Sequence, residues 1–176
     1  MLTLWDLLTD RAAKRRPKPA PKKRRVRRAA PVAVAPPAAR RRPIQDRYDA
    51  MTRQMLAEYG VRVRKWRSSM SGVAWEVHYE DGKVVRLIEA PKPKGPMSAA
   101  IFLHEIGHHA IGFNRYKPRC LEELRAWQWS LEAMERHGVA ITDRVRDRMR
   151  DSLRYAVAKA RRRGLKRLPD ELLPYL

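Results

Sequence analysis

Apolar residues recur along this chain with two periods, and the change from one to the other marks its elements. Between Val73 and Glu89 the period is two. Val73, Trp75, Val77 and Tyr79 alternate with Ala74, Glu76 and His78, Glu80-Asp81-Gly82-Lys83 is a turn signal, and Val84 to Glu89 return as a second strand. A two-residue Asp81-Gly82 loop pairs Tyr79 with Val84, Val77 with Arg86 and Trp75 with Ile88. Val61 to Trp66 reads as a third strand, so the expectation is a small antiparallel sheet. From Ala99 to Phe113 the period lengthens to that of a helix, behind the breaker run Pro91-Lys92-Pro93-Lys94-Gly95-Pro96 and with Ser98 as the expected N-cap. Phe102, Ile106 and Phe113 lie on one side, and Leu103, Gly107, Ala110 and Ile111 cover another. A helix that is apolar nearly all round is a buried one.

A further helix is expected from about Arg119 to Arg136, with Leu124, Trp127, Leu131 and Met134 as its stripe. An opening helix runs from Pro43 to Tyr59. Thr142 is the expected N-cap of a long helix from Asp143 to Arg163 that ends at Gly164, with Val145, Met149, Leu153, Ala156 and Ala160 inward and Arg dominating the other face. Asp143, Asp147 and Asp151 stand at spacings that pair with those Arg. Leu168 to Leu176 closes the chain. Residues 44–176 therefore read as one α+β domain: a small antiparallel sheet packed on a buried helix, followed by two further helices.

Residues 11–43 differ in kind. They hold 14 Lys or Arg, 7 Pro and no acidic residue, with only Ala and Val as apolar residues. Such a segment buries too little to offset its chain entropy, and disorder is expected. It carries 14 of the net charge of +21, which leaves +7 for the rest. The run Lys22-Lys23-Arg24-Arg25-Val26-Arg27-Arg28 suits counterion release from nucleic acid or an anionic membrane surface, and the absence of aromatics argues against base stacking. Residues 1–10 form a short amphipathic segment, too short and too punctuated by Asp6 and Asp10 for a signal peptide or a membrane span. One Cys excludes a disulfide framework within the chain and fits a reducing, cytoplasmic setting.

The chemistry concentrates in His104-Glu105-Ile106-Gly107-His108. Four residues apart on a helix, the two imidazoles share a face and can grip one metal ion, while Glu105 is turned to address a water on that metal rather than the metal itself. Imidazoles and a carboxylate in a buried helix are costly unless paired or metal-bound, which favours a zinc site over a structural His pair. A catalytic zinc takes a third protein ligand, and Cys120-Leu121-Glu122-Glu123 opens the next helix. Glu123 precedes that helix's stripe by one residue and is the better candidate. Glu122 shares a face with Ala126, Trp129 and Ala133, so periodicity leaves both open. Tyr116, Arg115 and His137 are the nearby candidates for stabilising an oxyanion. His109 is expected beside the site or at the surface, His78 and His137 as structural residues, and Cys120 as a small buried residue with at most a minor role towards metal.

The sequence resembles the ImmA/IrrE-like zinc metallopeptidases, a gluzincin-type group, through His104-Glu105-Ile106-Gly107-His108-His109 and the later Glu123-Leu124-Arg125-Ala126. The resemblance covers about Tyr48 to Met134, and Trp127 stands where that family often has Asn. It implies a minimal zincin-like fold, Zn2+ held by His104, His108 and Glu123, Glu105 as general base, and a repressor-type protein substrate. The expected function is a zinc-dependent endopeptidase acting on a protein or peptide, with nucleic acid as a second partner through residues 11–43 and no transmembrane segment. The alternative is a catalytically idle nucleic-acid-binding protein that works through its basic tail. The strand from Val84 to Glu89 is the expected edge along which substrate lies. Oligomeric state is left open by the pattern.

Overall fold

The structure is a computed structural model that describes residues 43–176. The segment 1–10 and the basic tail, up to residue 42, lie outside the described residues. Helix α1 (Pro43–Glu58) is followed by strands β1 (Val61–Arg67), β2 (Val73–His78) and β3 (Val84–Pro91), then by helices α2 (Pro96–Ile111), α3 (Arg119–Arg136) and α4 (Asp143–Arg162), and by a closing 3-10 turn (Asp170–Tyr175). This is the expected α+β class. Among the described residues no helix is long and apolar enough to cross a membrane.

The sheet departs from expectation in three ways. Its order is β1-β3-β2, and β1 runs parallel to β3, so the sheet is mixed rather than antiparallel. The apolar run of β3, with Ile88 and Ala90 fully buried, takes the centre, and β1, with Arg62, Arg64, Lys65 and Arg67, takes an edge where charged side chains stay solvated. The segment 68–72 carries the chain over the end of β3, which leaves room for β3 between β1 and β2. Second, the β2–β3 register is shifted by one residue: His78 pairs with Val84 and Trp75 with Leu87. The turn is longer than two residues because the Tyr79 amide donates to the Lys83 carbonyl (2.9 Å), Gly82 donates to the Tyr79 carbonyl (3.0 Å), and the Asp81 carboxylate accepts from the Lys83 amide. As a result Ala74, opposite buried Ile88, packs on the core, and Glu76 shares that face. Third, β3 is paired on both sides and has no free edge for a substrate. The free edges of the sheet belong to β1 and β2.

Helix α2 is the centre of the core, with every residue from Ser98 to His109 buried. Pro96 occupies the first turn, where its missing amide donor costs nothing. Ser98 is inside that turn rather than at the N-cap, its hydroxyl accepting from the Lys94 and Gly95 amides. Phe102, Leu103 and Ile106 are fully buried, each contributing roughly 1.5–3 kcal/mol by leaving water. Met51 and Met55 of α1, Trp127 and Met134 of α3, and Val145 and Leu153 of α4 complete the cluster. Thr142 caps α4 as expected, accepting from the Val145 amide.

Helices α2 and α3 run antiparallel and close together. A Cβ at Gly107 would stand 2.8 Å from the Ala126 carbonyl oxygen, so glycine is what permits the approach. The buried Ser130 hydroxyl donates to the Ala100 carbonyl (2.9 Å) one turn further along. This contact sets the first turn of α3, with Glu122 and Glu123, beside the last turns of α2.

Candidate metal centre

His104 and His108 lie one turn apart on α2, their ring centroids separated by 4.7 Å. Glu123 comes to them from α3. Its Oε2 is 3.4 Å from His104 Nε2 and 3.6 Å from His108 Nε2, and one ligand atom from each of the three lies within 4.8 Å of the others. Two ligands held at about 2.1 Å on a tetrahedral ion stand roughly 3.4 Å apart, which the two Glu123–imidazole spacings match. A donor set of two imidazoles and one carboxylate, mostly buried and converging on one point, could hold a metal ion.

Glu123, not Glu122, meets both imidazoles. Glu122 lies behind them, 1 % exposed, with Oε2 accepting from the Asn114 amide (2.7 Å) and Oε1 lying 3.8 Å from His108 Nδ1. Its periodicity with Ala126, Trp129 and Ala133 marked a buried face, and Glu122 stays on that face, outside the three converging side chains. His104 is held differently. Its ring stacks on Trp127 at 4.4 Å and 23°.

The charges answer to this geometry. Burial holds the His104 imidazole well below its ordinary 6.5, at about 4, against the pull of Glu123. Burial acts the same way on His108, but the hydrogen bond and charge of Glu123, joined by Glu105 and Glu122, outweigh it and raise that imidazole. Glu123 is also buried, yet its bonds to both imidazoles overcome burial and hold the carboxyl far below the ordinary range. Glu105, 5 % exposed, is pushed by burial up to about 7. Its carboxylate rests against Gly72, where a Cβ would come within 2.3 Å of Oε1.

A cavity of about 1190 Å³ opens onto His104, Glu105, His108 and Glu123, walled on one side by Gly72 and Ala74 and on the other by Arg148 and Tyr155 of α4. Cys120 lines it without joining the three converging ligands, and burial raises its thiol. His109 turns away to the sheet, its Nε2 donating to the Leu87 carbonyl (3.2 Å) with Glu76 3.9 Å from its other nitrogen. His78 is exposed beside Glu76. None of the three expected oxyanion residues lines this cavity. Tyr116 lies under the Arg125 guanidinium, Arg115 packs over Gly112, and His137 caps α3 beside a separate recess. Arg148 and Gly72 carry no motif. Arg148 is one Arg of many on a basic helix, and Gly72 is a loop glycine whose contact arises only in the fold.

No family model, curated protein or solved structure matches the chain.

Proposed function

We propose that the chain is a zinc-dependent endopeptidase of the kind its resemblance to the ImmA/IrrE-like group implies. The observation that carries this reading is the convergence of His104, His108 and Glu123 with Glu105 alongside them in one cavity wall. Two imidazoles, one carboxylate and a neighbouring carboxyl that is not a ligand make up the set a hydrolytic zinc site uses, and nitrogen-rich ligation favours zinc over magnesium or calcium. Zinc in such a site supplies a water that loses its proton near neutrality and a positive charge beside the peptide carbonyl.

Glu105 takes the proton as water adds to the carbonyl carbon, and delivers it to the amine nitrogen as the carbon–nitrogen bond breaks. Burial, which raises this carboxyl, favours its holding the proton between the two steps. Gly72 fixes where it acts. The substrate is best placed along β2. The Tyr79–Lys83 bond sets the ladder's alternation, which turns the backbone N–H and C=O of Ala74 and Glu76 to the free edge, and Ala74 borders the cavity. An extended peptide pairs there as an added strand. The basic tail is a candidate for holding the enzyme on nucleic acid, near a repressor-type substrate.

The test is hydrolysis of a mixed peptide library by the zinc-loaded full chain, read by mass spectrometry. The reading predicts new amino termini that disappear in Glu105→Gln while zinc stays bound. Zinc-bound protein that releases none, or the same ones in Glu105→Gln, contradicts it and favours the idle nucleic-acid-binding alternative. Ala74→Pro removes an outward amide from an edge strand and should raise KM without unfolding the sheet.

A further inference from the structure

We propose that Arg148 is the oxyanion donor of this site, its guanidinium binding the carbonyl oxygen of the scissile peptide as negative charge develops there. The inference rests on the peptidase reading above. Peptide hydrolysis at a single metal ion needs a second group facing the carbonyl oxygen, and the best such group is a donor already in place before reaction.

Arg148 meets that description. It projects from α4 into the cavity that holds His104, Glu105, His108 and Glu123. Its Nη2 donates to the Met70 carbonyl (3.2 Å), two residues ahead of the Gly72 that touches Glu105. That bond ties the guanidinium to the segment that carries Gly72. Its Nε–H is buried and has no acceptor among the described residues. Arg148 thus lines this cavity with a donor that no described residue satisfies, a hydrogen bond left to give to a ligand bound there.

Charge points the same way. Arg148 makes no ion pair among the described residues. Glu123, the one carboxylate among the three converging residues, is already engaged by both imidazoles. Of the other donors that α4 brings to this cavity, Tyr155, Lys159 and Arg163 are exposed, and Ser152 carries no charge. The guanidinium keeps all its protons through the reaction. Water adds to the carbonyl carbon, the oxygen takes the negative charge and accepts from Arg148, and as the carbon–nitrogen bond breaks Glu105 passes its proton to the amine.

The test uses the zinc-loaded full chain and N-phosphoryl-leucyl-alanine, whose tetrahedral anion imitates the charged oxygen, with leucyl-alanine as the planar control. Calorimetry on the wild type, Arg148→Met and Arg148→Lys gives affinities, and elemental analysis gives zinc content. Arg148→Met should keep its zinc and bind the phosphoryl dipeptide roughly a hundredfold more weakly, with Arg148→Lys between. The control dipeptide should change little. In the library assay kcat should fall while KM holds. Equal phosphoryl-dipeptide affinity in wild type and Arg148→Met overturns the proposal, as does no measurable affinity in zinc-bound wild type. Zinc lost from both variants makes Arg148 a strut for segment 68–72 and overturns it too. A wild-type chain that takes up no zinc is recognised before any probe is added, and fails the peptidase reading and this proposal together.

Discussion

Gly72 and Glu105 occupy adjoining space so closely that the smallest side chain at position 72 would lie 2.3 Å from the Glu105 carboxylate and 2.5 Å from its Cγ. The contact involves the stem of the side chain as well as its tip, so Glu105 cannot swing clear by rotating its carboxylate alone. The segment over the end of β3 is therefore the second wall that orients Glu105, the first being α2 itself.

Gly72→Ala should consequently separate metal binding from hydrolysis. None of the three ligands touches residue 72, so bound zinc should be unchanged, whereas a base displaced by about 1 Å should cost on the order of a hundredfold in kcat. Elemental analysis beside the library assay checks this. Unchanged hydrolysis would show that the base is placed by α2 alone.

Glu122 should behave as a support for His108. Its Oε1 faces His108 Nδ1 at 3.8 Å and its Oε2 accepts from the Asn114 amide, so Glu122→Ala takes a carboxylate from beside His108 and a tether from the loop after α2. Zinc affinity should fall roughly 10–100-fold, the usual cost of losing a carboxylate behind a ligating imidazole, and Glu122→Gln should lose less. Competition with a chelating dye measures both. If Glu122→Ala abolishes binding and Glu123→Ala barely weakens it, the two carboxylates have been assigned the wrong way round.

Away from the site, Glu89 gives a pH test of the fold. The hydrogen bond from Arg64, helped by Arg67 and opposed by burial, holds its carboxyl below the ordinary 4.5. Arg64 reaches Glu89 at 2.6 Å and Arg67 at 3.0 Å, so the pair fastens β1 to β3. A carboxyl lowered by folding adds stability that is complete above its unfolded value and vanishes as the pH falls through the folded one. Glu89→Gln should thus unfold at a lower temperature than wild type at pH 7, and the two curves should converge as the pH drops below 4.5. A gap that stays constant with pH would mean that Glu89 acts through packing rather than charge.

Much of this was legible in the sequence, for reasons that differ from residue to residue. The period of 3.6 around Phe102, Ile106 and Leu103 marks a buried helix because no polar face interrupts it, and the His104–His108 spacing then follows from helix geometry. Thr142 and Gly164 bound α4 because capping is local chemistry. Strand pairing is not local. The Val73, Trp75, Val77 alternation looks like an inward face, yet the five-residue Tyr79–Lys83 turn moves the register and puts Ala74 and Glu76 inside. The parallel pairing of β1 with β3 depends on a strand inserted later in the chain. Gly72, Gly107 and Arg148 acquire their parts from neighbours distant in sequence, and Glu122 is told from Glu123 only once Gly107 sets how closely α3 approaches.

The central claim is that His104, His108 and Glu123 hold one zinc ion with Glu105 beside it. Elemental analysis of the purified full chain, with His108→Ala, Glu123→Ala, Glu122→Ala and Glu105→Gln measured alongside, tests it most directly. The account predicts one zinc per chain in the wild type and in Glu105→Gln, little or none in His108→Ala and Glu123→Ala, and reduced occupancy in Glu122→Ala. A folded wild-type chain that takes up no metal when zinc is supplied, or one whose zinc survives the loss of both His108 and Glu123, contradicts it.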